Sequence, residues 1–146
     1  MESLGARLAD ACTPGLLILL QGVLGAGKTT LVRGALRAWG YKGPVKSPTY
    51  TLVESYAVGQ FSIHHFDFFR LSNPDELEYL GLRDYFDGRS ICFAEWPERV
   101  KGLLPTADVQ VDLRFQDHGR RVDVVPTSNA GRLLLRGLDV KGIEST

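Results

Sequence analysis

Between residues 16 and 39 the chain passes from an unbroken apolar run, Leu16-Leu17-Ile18-Leu19-Leu20, through the glycine-rich stretch Gly22-Val23-Leu24-Gly25-Ala26-Gly27 into Lys28-Thr29-Thr30 and a helical pattern. The run reads as a buried strand. The pattern after it puts Leu31, Val32, Ala35, Leu36 and Trp39 on one helix face, with Gly40 as the carboxyl-end cap. Strand, glycine loop and helix in that order satisfy G-x-x-x-x-G-K-[ST] from Gly22 to Thr29. Glycines let the backbone curl until successive N–H groups face inward, and the following helix adds its positive end, so the loop is a cradle for phosphate. Lys28 then reaches the β- and γ-phosphates of a nucleotide, and the Thr29 hydroxyl takes one Mg²⁺ position.

The other segments supply layers around this unit. Leu4, Leu8, Ala11 and Cys12 recur on one helical face, which Thr13-Pro14-Gly15 ends. Residues 41–50 form a loop by their Gly and Pro content, and residues 51–58 and 61–69 read as two strands of a hairpin joined by Gly59-Gln60. Residues 73–86 begin Asn-Pro with acids in the first turn, which predicts a helix. Residues 90–94 read as another buried strand and residues 97–104 as a short helix stopped by Pro105. Apolar and polar residues alternate on both sides of Asp117-His118-Gly119, the pattern of an antiparallel hairpin. A chain of 146 residues buries roughly 70% of its unfolded surface. The expectation is therefore one domain, residues 1–146, of the α/β class: a P-loop NTPase-like three-layer fold with a central mixed, mainly parallel sheet and a C-terminal antiparallel hairpin.

Charge narrows the partners. Lys+Arg and Asp+Glu both number 17, so the summed charge draws the chain to neither nucleic acid nor acidic membrane. No DNA or membrane partner is expected. The apolar runs fall short of the ~20 residues that span a bilayer, and the amino end has no basic-then-apolar leader, so a cytoplasmic location is expected. Cys12 and Cys92 stand alone in apolar surroundings and read as reduced core residues.

A P-loop enzyme needs at least one acid at the end of a neighbouring strand, to hold the metal's shell or to orient water. Asp67 and Glu95 each close an apolar stretch and fit that role, although a strand-end acid also caps turns; spacing leaves open which of them touches metal. Thr49, in Lys46-Ser47-Pro48-Thr49-Tyr50, resembles a switch threonine that senses a γ-phosphate, or is a plain turn residue. Arg70 and Arg99 are candidates to neutralise charge in phosphoryl transfer, against the usual solvated arginine. His64 and His65 are adjacent on a strand and face opposite sides, which makes one of them a packed core histidine. Trp96 anchors its loop, or shields the nucleotide.

Three classes of function fit a phosphate cradle. A regulatory GTPase needs an Asn-Lys-x-Asp base reader, and Asn73 and Asn129 are followed by Pro and Ala instead. A small-molecule or nucleoside kinase carries a lid and an acceptor pocket, often on arginine-rich helical insertions; the longest insert here, residues 75–86, has one arginine, Arg83. The third class is a nucleotide-binding module whose turnover drives a larger complex, and the short connections favour it.

Taken together, LGAGKTTLVRG, VKSPTYTLVESY, HFDFFRL, DELEYLGLRDYF and EWPER occur in the order and approximate spacing of the TsaE (YjeE) family. The resemblance covers residues 4–105 well and the terminal hairpin loosely. It implies a bacterial P-loop ATPase required to form threonylcarbamoyladenosine beside the anticodon of tRNAs that read ANN codons. It implies ATP and Mg²⁺ as cofactors and the TsaB–TsaD complex as partner, with tRNA met only indirectly and the carbamoyl transfer left to that complex. Carried over by position, Gly22, Leu24, Gly25, Ala26, Gly27, Lys28, Thr29 and Thr30 hold the nucleotide, with Thr49 in the switch loop and Trp96 beside the site. Asp67 takes the Walker B position, and Glu95 that of the acid needed for hydrolysis; Thr29, Asp67 and Glu95 are the metal candidates, and Lys28, Asp67 and Glu95 the catalytic ones. Two positions depart from the family pattern. Val23 replaces the usual acid, and Phe69 the usual tyrosine of His-x-Asp-x-Tyr-Arg.

Overall fold

A computed structural model of the chain describes residues 1–23 and 25–140. Helix α1 (Glu2–Ala11) precedes strand β1 (Leu17–Gly22) and helix α2 (Lys28–Trp39). Strands β2 (Val53–Val58) and β3 (Phe61–Asp67) follow, then two short helices, α3 (Asp75–Leu80) and α4 (Leu82–Tyr85), and strand β4 (Ile91–Glu95). A 3-10 turn (Pro97–Val100), strands β5 (Val109–Gln116) and β6 (Gly119–Pro126), and helix α5 (Asn129–Val140) complete the order.

The strands form a single sheet in the order β2-β3-β4-β1-β5-β6. The four inner strands run parallel, and β2 and β6 pair antiparallel at the edges. Side chains alternate across it. Ile18, Leu20, Ile63, Phe93 and Val111 face Leu8, Leu31, Leu36 and Leu138 of α1, α2 and α5. Leu17, Phe66, Cys92 and Ala94 face the opposite way, against Leu77, Leu82 and Val100. Apolar residues on both faces of β1 and β4 are what a parallel strand between two helical layers requires, so the expected three-layer α/β fold with a mixed sheet is the observed one. Among the described residues no helix is long and apolar enough to cross a membrane.

Three elements differ from expectation. The short helix expected over residues 97–104 is only the 3-10 turn Pro97–Val100, because Lys101, at φ −53° and ψ 127°, leaves helical backbone. The helix predicted over residues 73–86 is broken at Gly81, whose φ of 68° and ψ of 45° close α3 and turn the chain into α4. Helix α5 has no counterpart in the sequence reading, because Gly131 and Gly137 lower its local propensity. Tertiary contact overrides that preference. Ser128 accepts the Gly131 N–H at 3.0 Å and donates to Asp108 Oδ1 at 2.7 Å, while Asp108 Oδ2 accepts the Leu17 N–H at 2.8 Å. One carboxylate thus ties α5 to the start of β1. Gly131 is also needed sterically, since an added Cβ would lie 1.8 Å from the Asp108 carbonyl oxygen.

Both thiols are free, Cys92 buried and Cys12 partly so, and burial pushes each up to about 12. Neither is activated.

Helix α1 lies closely on α2, the helix that carries the cradle. At Gly5 a Cβ would stand 2.0 Å from the Leu31 carbonyl oxygen. Gly5→Ala is therefore expected to lower unfolding free energy in urea by about 1–3 kcal/mol through overpacking, although alanine by itself favours a helix by about 1 kcal/mol. A more stable variant would mean that the two helices are not held at this separation.

Candidate functional site

The site lies where β1, β3 and β4 end. Asp67 is in register with Glu95, and Glu95 with Leu20, two residues before β1 gives way to the glycine loop. Alternation along β3 and β4 directs Ile63, His65 and Asp67, and Ile91, Phe93 and Glu95, to the face covered by α2. The pattern that buries the core thus also delivers an imidazole and two carboxylates beneath the first turn of α2.

The loop reaches that turn through left-handed backbone. Gly25 has φ 80°, and Gly27, at the amino cap of α2, has φ 110°, conformations that side chains with a Cβ rarely adopt. Ala26 is fully buried and its N–H donates to the Val23 carbonyl at 3.1 Å. Thr30 is half-buried on α2. Leu24, expected to contribute to nucleotide binding, lies outside the described residues.

Lys28 is only 5% exposed. Its ammonium donates to the carbonyl of Gly22, and at 3.5 Å to that of Val23, and stands 4.1 Å from the centre of the Trp96 ring. Burial pulls the Lys28 pKa below its ordinary 10.5, against the opposing pull of Glu95, Asp67 and Glu98. Trp96 holds its place in left-handed backbone, with φ 56° and ψ 49°, which is uncommon for a bulky residue. Phe69 packs against the same indole, tilted, with ring centres 4.9 Å apart. Phe69 thus serves as an aromatic wall, and Val23, the other departure, is exposed and lines a neighbouring cleft.

The two acids have different company. Glu95 Oε2 accepts from the Thr29 hydroxyl at 3.2 Å and is bonded to His65 Nε2. Asp67 Oδ2 accepts from the Thr49 hydroxyl at 3.1 Å, and Asp67 Oδ1 from the Phe69 N–H at 3.0 Å. Ser47 and Thr49 share a 2.8 Å hydrogen bond. Thr49 is therefore joined to the site through Asp67, and Thr29 through Glu95. Arg70 and Arg99 are exposed, and their guanidinium groups lie over Tyr50 at 4.5 Å and over Phe69, on the wall of the site, at 5.6 Å.

Two residues escaped the sequence reading. His65 is the packed member of the histidine pair, but it touches Glu95 and so belongs to the site; its spacing of two from Asp67 on a strand was the available signal. His64 faces the other way, 2.8 Å from Ser55 Oγ and against Tyr85. Arg120, near the tip of the β5–β6 hairpin, donates to the Gly25 carbonyl at 3.2 Å, a pairing across the fold that no local pattern announces. Beside the loop, a cleft of about 470 Å³ opens between Gly22, Val23, Trp96, Glu98 and the end of β5.

The donor set suits a nucleotide and Mg²⁺. A threonine hydroxyl and two carboxylates are hard oxygen ligands, and among the described residues no three His, Cys, Asp or Glu side chains form a protein-only cage. Mg²⁺ is commonly held by one or two protein ligands together with substrate phosphates.

Residues 1–122 match the family model described as Threonylcarbamoyl adenosine biosynthesis protein TsaE. A Haemophilus influenzae tRNA threonylcarbamoyladenosine biosynthesis protein TsaE is 48% identical over 120 residues, covering 82% of this chain and 76% of that protein. The Bacillus subtilis protein of the same name is 35% identical over 135 residues, covering 91% and 84% respectively. A crystal structure of Bacillus subtilis YdiB superimposes with a TM-score of 0.83 at 27% identity, covering 97% of this chain and 88% of that one.

The lowered Lys28 pKa has a measurable consequence. The unfolded chain holds that proton more firmly than the folded one, so the charged ammonium costs stability at every pH below its lowered value, and the cost fades as pH climbs toward 10.5. Lys28→Met is expected to unfold at higher urea than the unaltered chain at neutral pH, by on the order of 1 kcal/mol, as when a functional group is replaced at a site built for activity. The gap should narrow once pH passes the lowered value and close only above 10.5. A less stable variant at neutral pH would show that the charge is net favourable to the fold.

Proposed function

The chain belongs to the TsaE family, and from that premise we propose that it is a cytoplasmic, Mg²⁺-dependent ATPase required to form threonylcarbamoyladenosine in tRNA. Its single domain, residues 1–146, binds ATP in the cradle of residues 22–30 and uses hydrolysis to cycle the TsaB–TsaD complex, which carries out the transfer and handles the tRNA. The observation that carries the reading is the Lys28 ammonium, buried at the mouth of the cradle and bonded to the carbonyls of its own loop. A cation held by neutral acceptors that are easily given up is ready for phosphate.

In this reading Lys28 leaves the Gly22 and Val23 carbonyls for the β- and γ-phosphates, and the N–H groups of residues 24–30 bind the same oxygens. Mg²⁺, if held there by Thr29 and the Glu95 carboxylate, would supply positive charge against the charge that develops on the phosphates. Thr29 supplies a hydroxyl oxygen to the metal, and Glu95, its hydrogen-bond partner, orders the metal's shell and the attacking water. Asp67 couples the site to the loop of residues 47–49 through Thr49, so that loop responds to the γ-phosphate. Trp96 covers Lys28 and excludes water from the reacting end.

The test is the ATPase rate of the chain with and without TsaB–TsaD. A low intrinsic rate that rises at least about tenfold with the complex is expected, and Glu95→Ala should keep ATP affinity while losing about 10²–10³ in turnover, the usual loss when a group that stabilises the transition state is removed. No stimulation by the complex, together with phosphate transfer to a small acceptor, would instead identify a kinase.

A further inference from the structure

One hydrogen bond under α2 is not accounted for by the cradle or by the family's nucleotide ligands. His65 is 0% exposed. Its Nε2 bonds Glu95 Oε2, the same oxygen that accepts the Thr29 hydroxyl. Its other nitrogen, Nδ1, is sealed from solvent and has no partner among the described residues. A neutral imidazole carries one N–H. Nδ1 is unsatisfied in either tautomer, but with the hydrogen on Nδ1 the bare Nε2 would face a carboxylate oxygen, acceptor against acceptor. The proton therefore sits on Nε2, and His65 donates.

That donation fixes one end of Glu95. Both bonds to the carboxylate fall on Oε2, which leaves Oε1 without a hydrogen bond among the described residues. The ring has little room to swing, because it is fully buried in the packed face covered by α2, between Ile63 and Asp67 along β3. We propose that His65 is a positioning residue: its Nε2–H pins Glu95 Oε2 beside Thr29, so that Oε1 is the oxygen offered to Mg²⁺ and the attacking water. The proposal rests on the nucleotide-binding reading of the site. It assigns His65 no contact with substrate.

Three variants separate positioning from packing. His65→Gln can return an amide donor to the place of Nε2, His65→Asn is too short to reach Glu95, and His65→Phe fills the volume with no donor. In the nucleotide-free chain, the nitrogen NMR shifts of His65 should report a proton on Nε2. Without metal, calorimetry should give all three variants the ATP affinity of the unaltered chain to within about threefold, since the cradle is untouched. Mg²⁺ affinity of the ATP complex and kcat should fall about 10–100-fold in the Phe and Asn variants, the usual effect of losing a group that orients a metal ligand, with KM for ATP unchanged, and the Gln variant should recover most of both. An Nδ1–H tautomer, a Phe variant that matches the unaltered chain, or a Gln variant as impaired as Phe would each overturn the proposal. If Phe does not fold, the contrast between Gln and Asn decides by the same criterion. Failure of the unaltered chain to bind ATP would sink the functional reading instead, while the tautomer still decides whether His65 holds Glu95.

Discussion

Lys28, Asp67 and Glu95 are all withdrawn from water at one edge of the sheet, with His65 beneath them, and most of the architecture follows from keeping those charges partnered. Removing water from an ion costs several kcal/mol even after relaxation, so a buried charge persists only where hydrogen bonds replace its solvent. Here each finds a different kind of replacement. Glu95 has a hydroxyl and an imidazole, Asp67 a hydroxyl and a backbone N–H, and Lys28 two carbonyls and an aromatic face. The carboxylates are held by side chains and backbone that stay put. Lys28 is held by a loop, and that asymmetry makes it the group free to change partners.

The scaffold converts this chemistry into fixed positions. Parallel pairing of β1, β3 and β4 brings the ends of the strands to one level, and the register of Asp67 with Glu95 sets the carboxylates side by side. Above them, α2 is pressed onto the sheet by α1 through contacts that leave no room for a Cβ at Gly5 or Gly34. Trp96 closes the front. Its left-handed backbone, uncommon for so large a side chain, lets the ring lie over Lys28 rather than follow the line of β4. Arg99 lies over Phe69, Phe69 packs tilted against Trp96, and Trp96 meets the ammonium, so the wall of the site is itself supported.

Much of this was legible in the residues, for identifiable reasons. The strand–loop–helix of residues 16–39 combines three local signals that agree with one another: an apolar run, obligatory glycines and a helical stripe. Asp67 and Glu95 were legible as candidates because each closes an apolar run at the cradle's end of the sheet, where an acid either serves the site or caps a turn. Their division of labour was not, since it depends on which hydroxyl each carboxylate meets across the fold, Thr29 or Thr49. Helix α5 was hidden by Gly131, a residue chosen for its closeness to the Asp108 carbonyl and not for helix propensity. One of His64 and His65 was legible as a packed core residue, but not which; burial shows it to be His65, and only the contact with Glu95 gives it a further role. Local chemistry is written in sequence, while cross-strand partnership emerges only when the chain is folded.

Whether Lys28 exchanges loop carbonyls for phosphate is the centre of the account. A crystal structure with Mg²⁺ and a non-hydrolysable ATP analogue tests it directly. The account predicts the triphosphate wrapped by the loop after Gly22, with the Lys28 ammonium moved off the Gly22 carbonyl onto phosphate oxygens. An analogue bound elsewhere, or Lys28 still seated on that carbonyl at saturating nucleotide, would contradict it.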